Sequence, residues 1–248
     1  HGSEVRAIAI RADEGLVATG GGDGRVLLWS ADSAEPREIV THKDPIWSLC
    51  FDRDGRKLAS GDRLGGLNIT AVAGGEPQHW QLGKRNIMAI ALLDDGTRLW
   101  AGSADQNIYL LDTLGREPLR SIWTRNGTCR DIVEDVDGTL IVGGWWRIDR
   151  FAKDGTPLHP VGLNGTWRFD LDRASRRLVS AGDRNAVRLF DLAEGWDQVL
   201  GGMNVAMSGD GSRIAFDRED RIVVRSIDQP ETEPEVVVPR FGGWLALD

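Results

Sequence analysis

A spacing of about 41 residues recurs along this 248-residue chain, and it constrains the fold more than any other feature. Apolar alternating segments open at Val5, Ile46 and Ile87, and weaker copies follow near Met203 and Trp244. A second set of segments begins at Val17, Leu58, Leu99, Leu140, Leu178 and Ile214. A third begins in phase at Val26, Leu67, Ile108, Ile148, Val187 and Ile222. Alternation of apolar and polar residues with a period of two puts one face of each segment in a core, which is the pattern of a β-strand. Asp54-Gly55, Asp95-Gly96, Asp137-Gly138 and Asp210-Gly211 separate the first and second segments. An Asp-Gly pair between two such runs predicts a hairpin, because glycine takes the positive φ that the turn demands. A fourth, more variable strand fits near Arg37–Val40, His79–Leu82, Ser121–Trp123, Gln198–Leu200 and Glu235–Val238. No segment carries helical periodicity.

Four short strands repeating at a period near 40 residues describe the blade of a β-propeller. The expected fold is therefore all-β, a propeller of four-stranded blades. Blade limits fall at 1–41, 42–84, 85–125, 126–163, 164–200 and 201–238, which gives six full repeats. Residues 239–248 read as the first strand of a seventh. Sheet edges left open invite association, so the last blade must be sealed. Two arrangements satisfy this: a longer polypeptide with seven or more blades, or six blades closed by a last strand packed on one already present.

The segment Val17-Ala18-Thr19-Gly20-Gly21-Gly22-Asp23-Gly24-Arg25-Val26-Leu27-Leu28-Trp29 resembles the heart of a WD40 repeat. That resemblance implies a buried hydrogen-bonded set of His, Ser or Thr, Asp and Trp, and His1, Thr19, Asp23 and Trp29 match its four positions. The set is structural: it pairs polar groups that burial would otherwise leave unsatisfied. Blade two keeps His42 and Ser60 but has Thr70 at the Trp position, and blade three keeps Asp105. In WD40-like propellers the residue just after the first apolar position of the inner strand lies at the channel rim, where partners commonly dock. By alignment, with Asn126-Gly127-Thr128-Cys129-Arg130 set against Asn164-Gly165-Thr166-Trp167-Arg168, this position holds Arg6, Trp47, Met88, Cys129, Trp167 and Met203. Trp, Met and Arg are the types enriched in interfaces and hot spots. The alternative is that both tryptophans plug the channel as core, since Trp is often largely buried. Trp145-Trp146 falls at the turn between strands two and three of blade four, where alternation exposes one of the two. It reads equally as a binding feature or as a cap over the groove between blades.

The net charge of -8 argues against a general binder of the phosphate backbone, which needs a concentrated basic surface, so no nucleic-acid partner is expected. No apolar run reaches the length of a membrane span, and the first residues lack the pattern of a signal peptide. Cys50 and Cys129, in apolar segments, are expected to be reduced core or channel residues. No membrane partner and a cytoplasmic setting follow as expectations. Arginine supplies 26 of the 30 basic residues, a bias expected of a GC-rich, bacterial genome.

Catalysis requires a nucleophile with its base, paired carboxylates or a metal cluster. His1, His42, His79 and His159 show no zinc-ligand spacing, and no metal or cofactor is expected. Gly20-Gly21-Gly22-Asp23-Gly24 leads into a strand, whereas a phosphate-cradling loop must open a helix. Aspartates sit in turns, where they cap the local backbone. The expectation is a non-catalytic interaction, sensor or scaffold module for a protein partner or a fused effector domain. The alternatives are a hydrolase or lyase with its site in the propeller mouth, and a purely architectural propeller.

Overall fold

A computed structural model describes the chain except residues 12–13, 94–96, 116, 163–165, 183–186, 203, 209, 219–220, 228–235 and 240–248. The seventh-blade strand expected over Phe241–Asp248 therefore lies outside the described residues, as does Met203. Among the described residues the sheets are built from twenty-four strands, and no helix is long and apolar enough to cross a membrane. The chain divides into two units, His1–Ile132 and Val133–Asp248.

The first unit holds three four-stranded antiparallel sheets, each a meander in chain order. The first runs through β1 (Val5–Arg11), β2 (Leu16–Gly21), β3 (Arg25–Ser30) and β4 (Arg37–Thr41). The second comprises β5 (Ile46–Phe51), β6 (Lys57–Asp62), β7 (Gly66–Ala71) and β8 (Gln78–Gln81). The third comprises β9 (Ile87–Leu92), β10 (Arg98–Ser103), β11 (Asn107–Asp112) and β12 (Pro118–Trp123).

Three further sheets of the same order follow. They are β13 (Asp131–Glu134) to β16 (Pro157–Gly162) by way of β14 (Leu140–Gly143) and β15 (Ile148–Phe151), then β17 (Thr166–Asp172), β18 (Arg177–Gly182), β19 (Arg188–Asp191) and β20 (Trp196–Val199). The last has β21 (Val205–Met207), β22 (Arg213–Arg218), β23 (Arg221–Ser226) and β24 (Val236–Pro239). Six sheets of four strands in chain order make this a blade-based propeller fold. The fourth blade has an outer strand, β16, for which the sequence pattern offered no candidate. It opens on Pro157, as edge strands tolerate, because the missing N–H needs no ladder partner there. β24 carries the sixth sheet through Pro239, one residue past the expected blade limit.

The core lies between successive sheets. Ala18, Val26, Leu28, Ile46 and Leu58 join the first two blades, and Leu67, Trp80, Ile87, Leu99 and Leu111 the second and third. Leu178, Phe169 and Ile148 pack in the fourth and fifth, and Leu189, Val205, Ile214 and Phe216 in the fifth and sixth. Each blade thus buries its apolar face on a neighbour, which is why one repeat cannot fold alone. Three of the four expected Asp-Gly turns appear, with Gly55, Gly138 and Gly211 at φ of 66°, 81° and 67°, and the fourth, Asp95-Gly96, lies outside the described residues.

One device repeats in the second strands. Gly20, Gly61, Gly102 and Gly143 recur at a constant 41-residue step, and each faces the residue that opens the next blade's inner segment. A Cβ on Gly61 would stand 2.6 Å from the Ile87 Cβ, and one on Gly20 would stand 2.8 Å from the Ile46 Cβ. Cβ atoms at Gly102 and Gly143 would overlap the Cys129 sulfur and the Thr166 methyl. Ile46, Ile87 and Cys129 are buried and serve as anchors seated against bare backbone.

Candidate protein-interaction site

In four inner strands the residue after the first is displaced from its ladder. In β1 the register passes from Val5 opposite Gly21 to Ala7 opposite Gly20, leaving Arg6 as the extra residue. The same step isolates Trp47 between Ile46 and Ser48, Met88 between Ile87 and Ala89, and Trp167 between Thr166 and Arg168. A β-bulge of this kind re-aims a side chain that the regular pleat would have pointed elsewhere. At Arg6, Trp47, Met88 and Trp167 the positions singled out from sequence are therefore a backbone feature, repeated in blades one, two, three and five.

In the first unit the bulged residues share one end of the sheets. The inner strands β1, β5 and β9 lie side by side. They run in the same direction: Arg11, at the end of β1, donates to the Asp52 carbonyl just past the end of β5, while Ser48 Oγ donates to the Ile87 carbonyl at 2.8 Å. The Arg6 guanidinium stands 5.0 Å over the centroid of the Trp47 ring, and Glu4 binds its other side. Trp47 and Met88 are half-buried, neither free of the protein nor sealed within it. A cation over an indole face contributes about 0.5–1 kcal/mol at an exposed site, which biases both side chains toward this arrangement.

Cys129 does not belong to this series. It is buried against Gly102, where Ile46 and Ile87 stand in the preceding blades, and burial pushes its thiol far above the usual range, with Asp131 adding to the shift. The residue that follows the anchor in blade four is Arg130. Matching Asn126–Arg130 to Asn164–Arg168 sets the register one residue off, because it aligns Cys129 with the bulged Trp167, whereas the seats at Gly102 and Gly143 make Cys129 equivalent to Thr166. The Trp167 side chain and Met203 lie outside what the structure describes. Trp145 and Trp146 are 43% and 69% exposed in the turn between β14 and β15. Strand alternation, which would bury one of them, does not extend into this turn.

The hydrogen-bonded set of blade one is continuous. Trp29 Nε1 donates to Thr19 Oγ1 at 2.9 Å, Thr19 bonds His1 Nε2 at 2.8 Å, and His1 Nδ1 meets Asp23 Oδ1 at 3.1 Å. Trp29 stays 38% exposed, so its own ring is not buried as the resemblance implied. Blade two has a complete set of its own that the sequence pattern concealed. His79 Nδ1 donates to Asn68 Oδ1, and Asn68 Nδ2 donates to His42 Nε2 at 3.0 Å. Ser60 Oγ lies 2.7 Å from the same nitrogen, so His42 Nδ1 carries the proton and donates to Asp62 at 3.0 Å. Burial raises the Asp62 carboxyl, but His42 and the Gly66 and Leu64 amides outweigh it and hold it below the usual carboxylate range. In blade three Tyr109 donates to Asp105 at 2.8 Å.

Ser60, His42 and Asp62 share the connectivity of a hydrolytic triad, but Ser60 is buried and its hydroxyl is committed to His42 inside the sheet. A nucleophile must be reached by substrate, so this arrangement is structural. Among the described residues no cluster of three or more His, Cys, Asp or Glu could hold a metal ion.

A sequence model described as "WD domain, G-beta repeat" matches residues 1–30 and 35–68. Similar proteins include a WD repeat-containing protein, SL1-17, of Schistosoma mansoni, 28% identical over 198 residues. Six four-stranded sheets and bladewise hydrogen-bonded sets accompany that match, and together they make the chain a propeller of WD40-like repeats. The alignment to SL1-17 covers 79% of this propeller and 53% of the relative. Jouberin of Mus musculus is 27% identical over 117 residues, 39% of this chain and 11% of its own length. WD repeat-containing protein 1 of Gallus gallus is 27% identical over 114 residues, 44% of this chain and 19% of its own length. The propeller thus spans about half the length of the first relative and far less of the others. A chain in a crystal structure of a mitotic checkpoint complex superposes with a TM-score of 0.77 at 17% identity, covering 88% of this chain and 72% of that one. These relatives come from animals, so they lend no support to the bacterial origin expected from the arginine bias.

Proposed function

We propose that this propeller is a protein-interaction scaffold whose partner docks on the end of the first unit that presents Arg6, Trp47 and Met88. The observation that carries the reading is the repeated bulge: the backbone departs from its ladder at one position per blade, and large interface-type side chains occupy it. Trp and Arg fixed in one orientation lose little conformational entropy on binding, which favours them as anchors. WD40 propellers generally act as non-catalytic scaffolds for protein partners. Trp167 extends the same reading to the second unit through its backbone position, and exposed Trp145 and Trp146 offer a separate apolar patch there. A sensor role, a fused effector domain and a cytoplasmic location belong to this proposal. The test is affinity capture from a lysate of the source organism with wild type and a Trp47→Ala, Trp167→Ala variant matched by circular dichroism. A specific protein retained by wild type and lost by the folded variant is the expected result; equal retention by both removes the bulged residues from the site.

A further inference from the structure

The polar set of blade two holds two histidines joined by one carboxamide. Asn68 Nδ2 donates to His42 Nε2 at 3.0 Å, and Asn68 Oδ1 accepts from His79 Nδ1 at 2.8 Å. His42, Ser60 and Asn68 are buried, whereas His79 on the outer strand β8 is exposed. A carboxamide has one donating end and one accepting end. The direction of the Asn68 amide therefore depends on which imidazole nitrogens carry protons.

A second proton on His42 lands on Nε2, because Nδ1 already donates to Asp62 at 3.0 Å. Ser60 Oγ, 2.7 Å away, can turn its hydroxyl and accept, but Asn68 Nδ2 is left donor to donor in a buried place. Reversing the amide removes that conflict: Oδ1 accepts from His42 and Nδ2 donates to His79. The reversed amide needs a bare lone pair on His79 Nδ1, with the proton of that neutral ring on Nε2. We infer that Asn68 makes these two rings a proton-operated switch, in which an imidazolium at His42 and a proton on His79 Nδ1 exclude one another. The first proton turns the amide; when both histidines are charged, one of its two bonds fails. Besides Asp62, the charged groups on the elements around His42 are Asp23, Arg25 and Glu38 of blade one, with Lys43, Asp44 and Arg63 of blade two. Arg25 pairs with Glu38 at 2.7 Å and Arg63 with Asp44 at 3.4 Å. Around His79 they are Glu76, ahead of β8, and Arg37 of β4, which binds the Val72 carbonyl. Among the described residues none of these bonds Asn68 or His79, so the amide is the hydrogen-bonded link between the rings.

The test is a pH titration of the imidazole nitrogens of the full chain by nitrogen-15 NMR, in wild type, His79→Ala and Asn68→Ala. In wild type, His79 is expected to pass from the Nδ1–H to the Nε2–H form as His42 takes its second proton. In His79→Ala the amide is free to turn, so His42 takes that proton at a pH higher by roughly half to one unit, the worth of one hydrogen bond. In Asn68→Ala the two rings titrate independently. Asn68 is buried and its removal can impair folding, in which case the exposed His79 supplies the deciding comparison. Three results would overturn the inference: His42 taking its proton at the same pH in wild type and His79→Ala, His79 keeping its Nδ1 proton while His42 is charged, or both proteins unfolding before His42 is charged.

Discussion

Tyr109 is the single tyrosine of the chain, so its ionisation can be read without interference from another phenol. Burial, followed by the hydrogen bond to Asp105 and the charge of that carboxylate, pushes its hydroxyl up to about 12 from an ordinary value of 10.0. We expect a spectrophotometric titration to place tyrosinate formation near 12 in the folded protein, and lower in Asp105→Asn, where burial alone remains. The linkage has a definite sign: the folded state holds the proton more tightly. The stabilising contribution is thus complete below about pH 10 and is lost as pH rises toward 12. A midpoint near 10 in wild type would show that Tyr109 is neither buried nor held by Asp105, and a midpoint unchanged in Asp105→Asn would show that the Asp105 contact does not form. Tyr109 and Asn68 occupy the third-strand position equivalent to Leu27, two residues before that of Trp29 and on the same strand face. A search that looks for Trp at one fixed position therefore misses the sets in blades two and three. The physical requirement is a donor on that face, and either position supplies it.

Elements show the same division between what packing dictates and what it leaves open. Strand order and the Asp-Gly turns were legible because apolar alternation and positive-φ glycine leave marks in the sequence at short range. The glycines at 20, 61, 102 and 143 leave an equally regular mark, and they set the anchor register that the match of Asn126–Arg130 to Asn164–Arg168 misplaced at Cys129. β16 was not legible, because an outer strand packs on one side only and carries weak alternation. Gly102→Ala forces a methyl group into the Cys129 sulfur and is expected to cost about 1–3 kcal/mol by chemical denaturation. Cys129→Ala removes that sulfur, so the double variant should recover part of the loss, a coupling expected between residues in contact. Strict additivity of the two changes would mean that Cys129 is not seated on Gly102. The bulges at Arg6, Trp47, Met88 and Trp167 could not be read as bulges from sequence, because an extra residue in one strand is visible only against its partner's register.

At the scale of the whole molecule, the same blade repeats in both units and the bulged residues supply difference between blades. In blades one to three the polar sets tie strands within a sheet, and the residues seated on Gly20, Gly61, Gly102 and Gly143 pack the start of one inner segment on the preceding sheet. What varies from blade to blade is the side chain carried at the bulge: Arg6, Trp47 and Met88 within one unit. Such a division suits a surface that recognises a partner by shape and charge. Hydrogen–deuterium exchange of the chain with and without its captured partner tests this directly. Protection should concentrate in residues 4–7, 45–48 and 86–89, the starts of β1, β5 and β9. Protection confined to the outer strands β4, β8 and β12, with these starts unchanged, would contradict docking at the bulged residues.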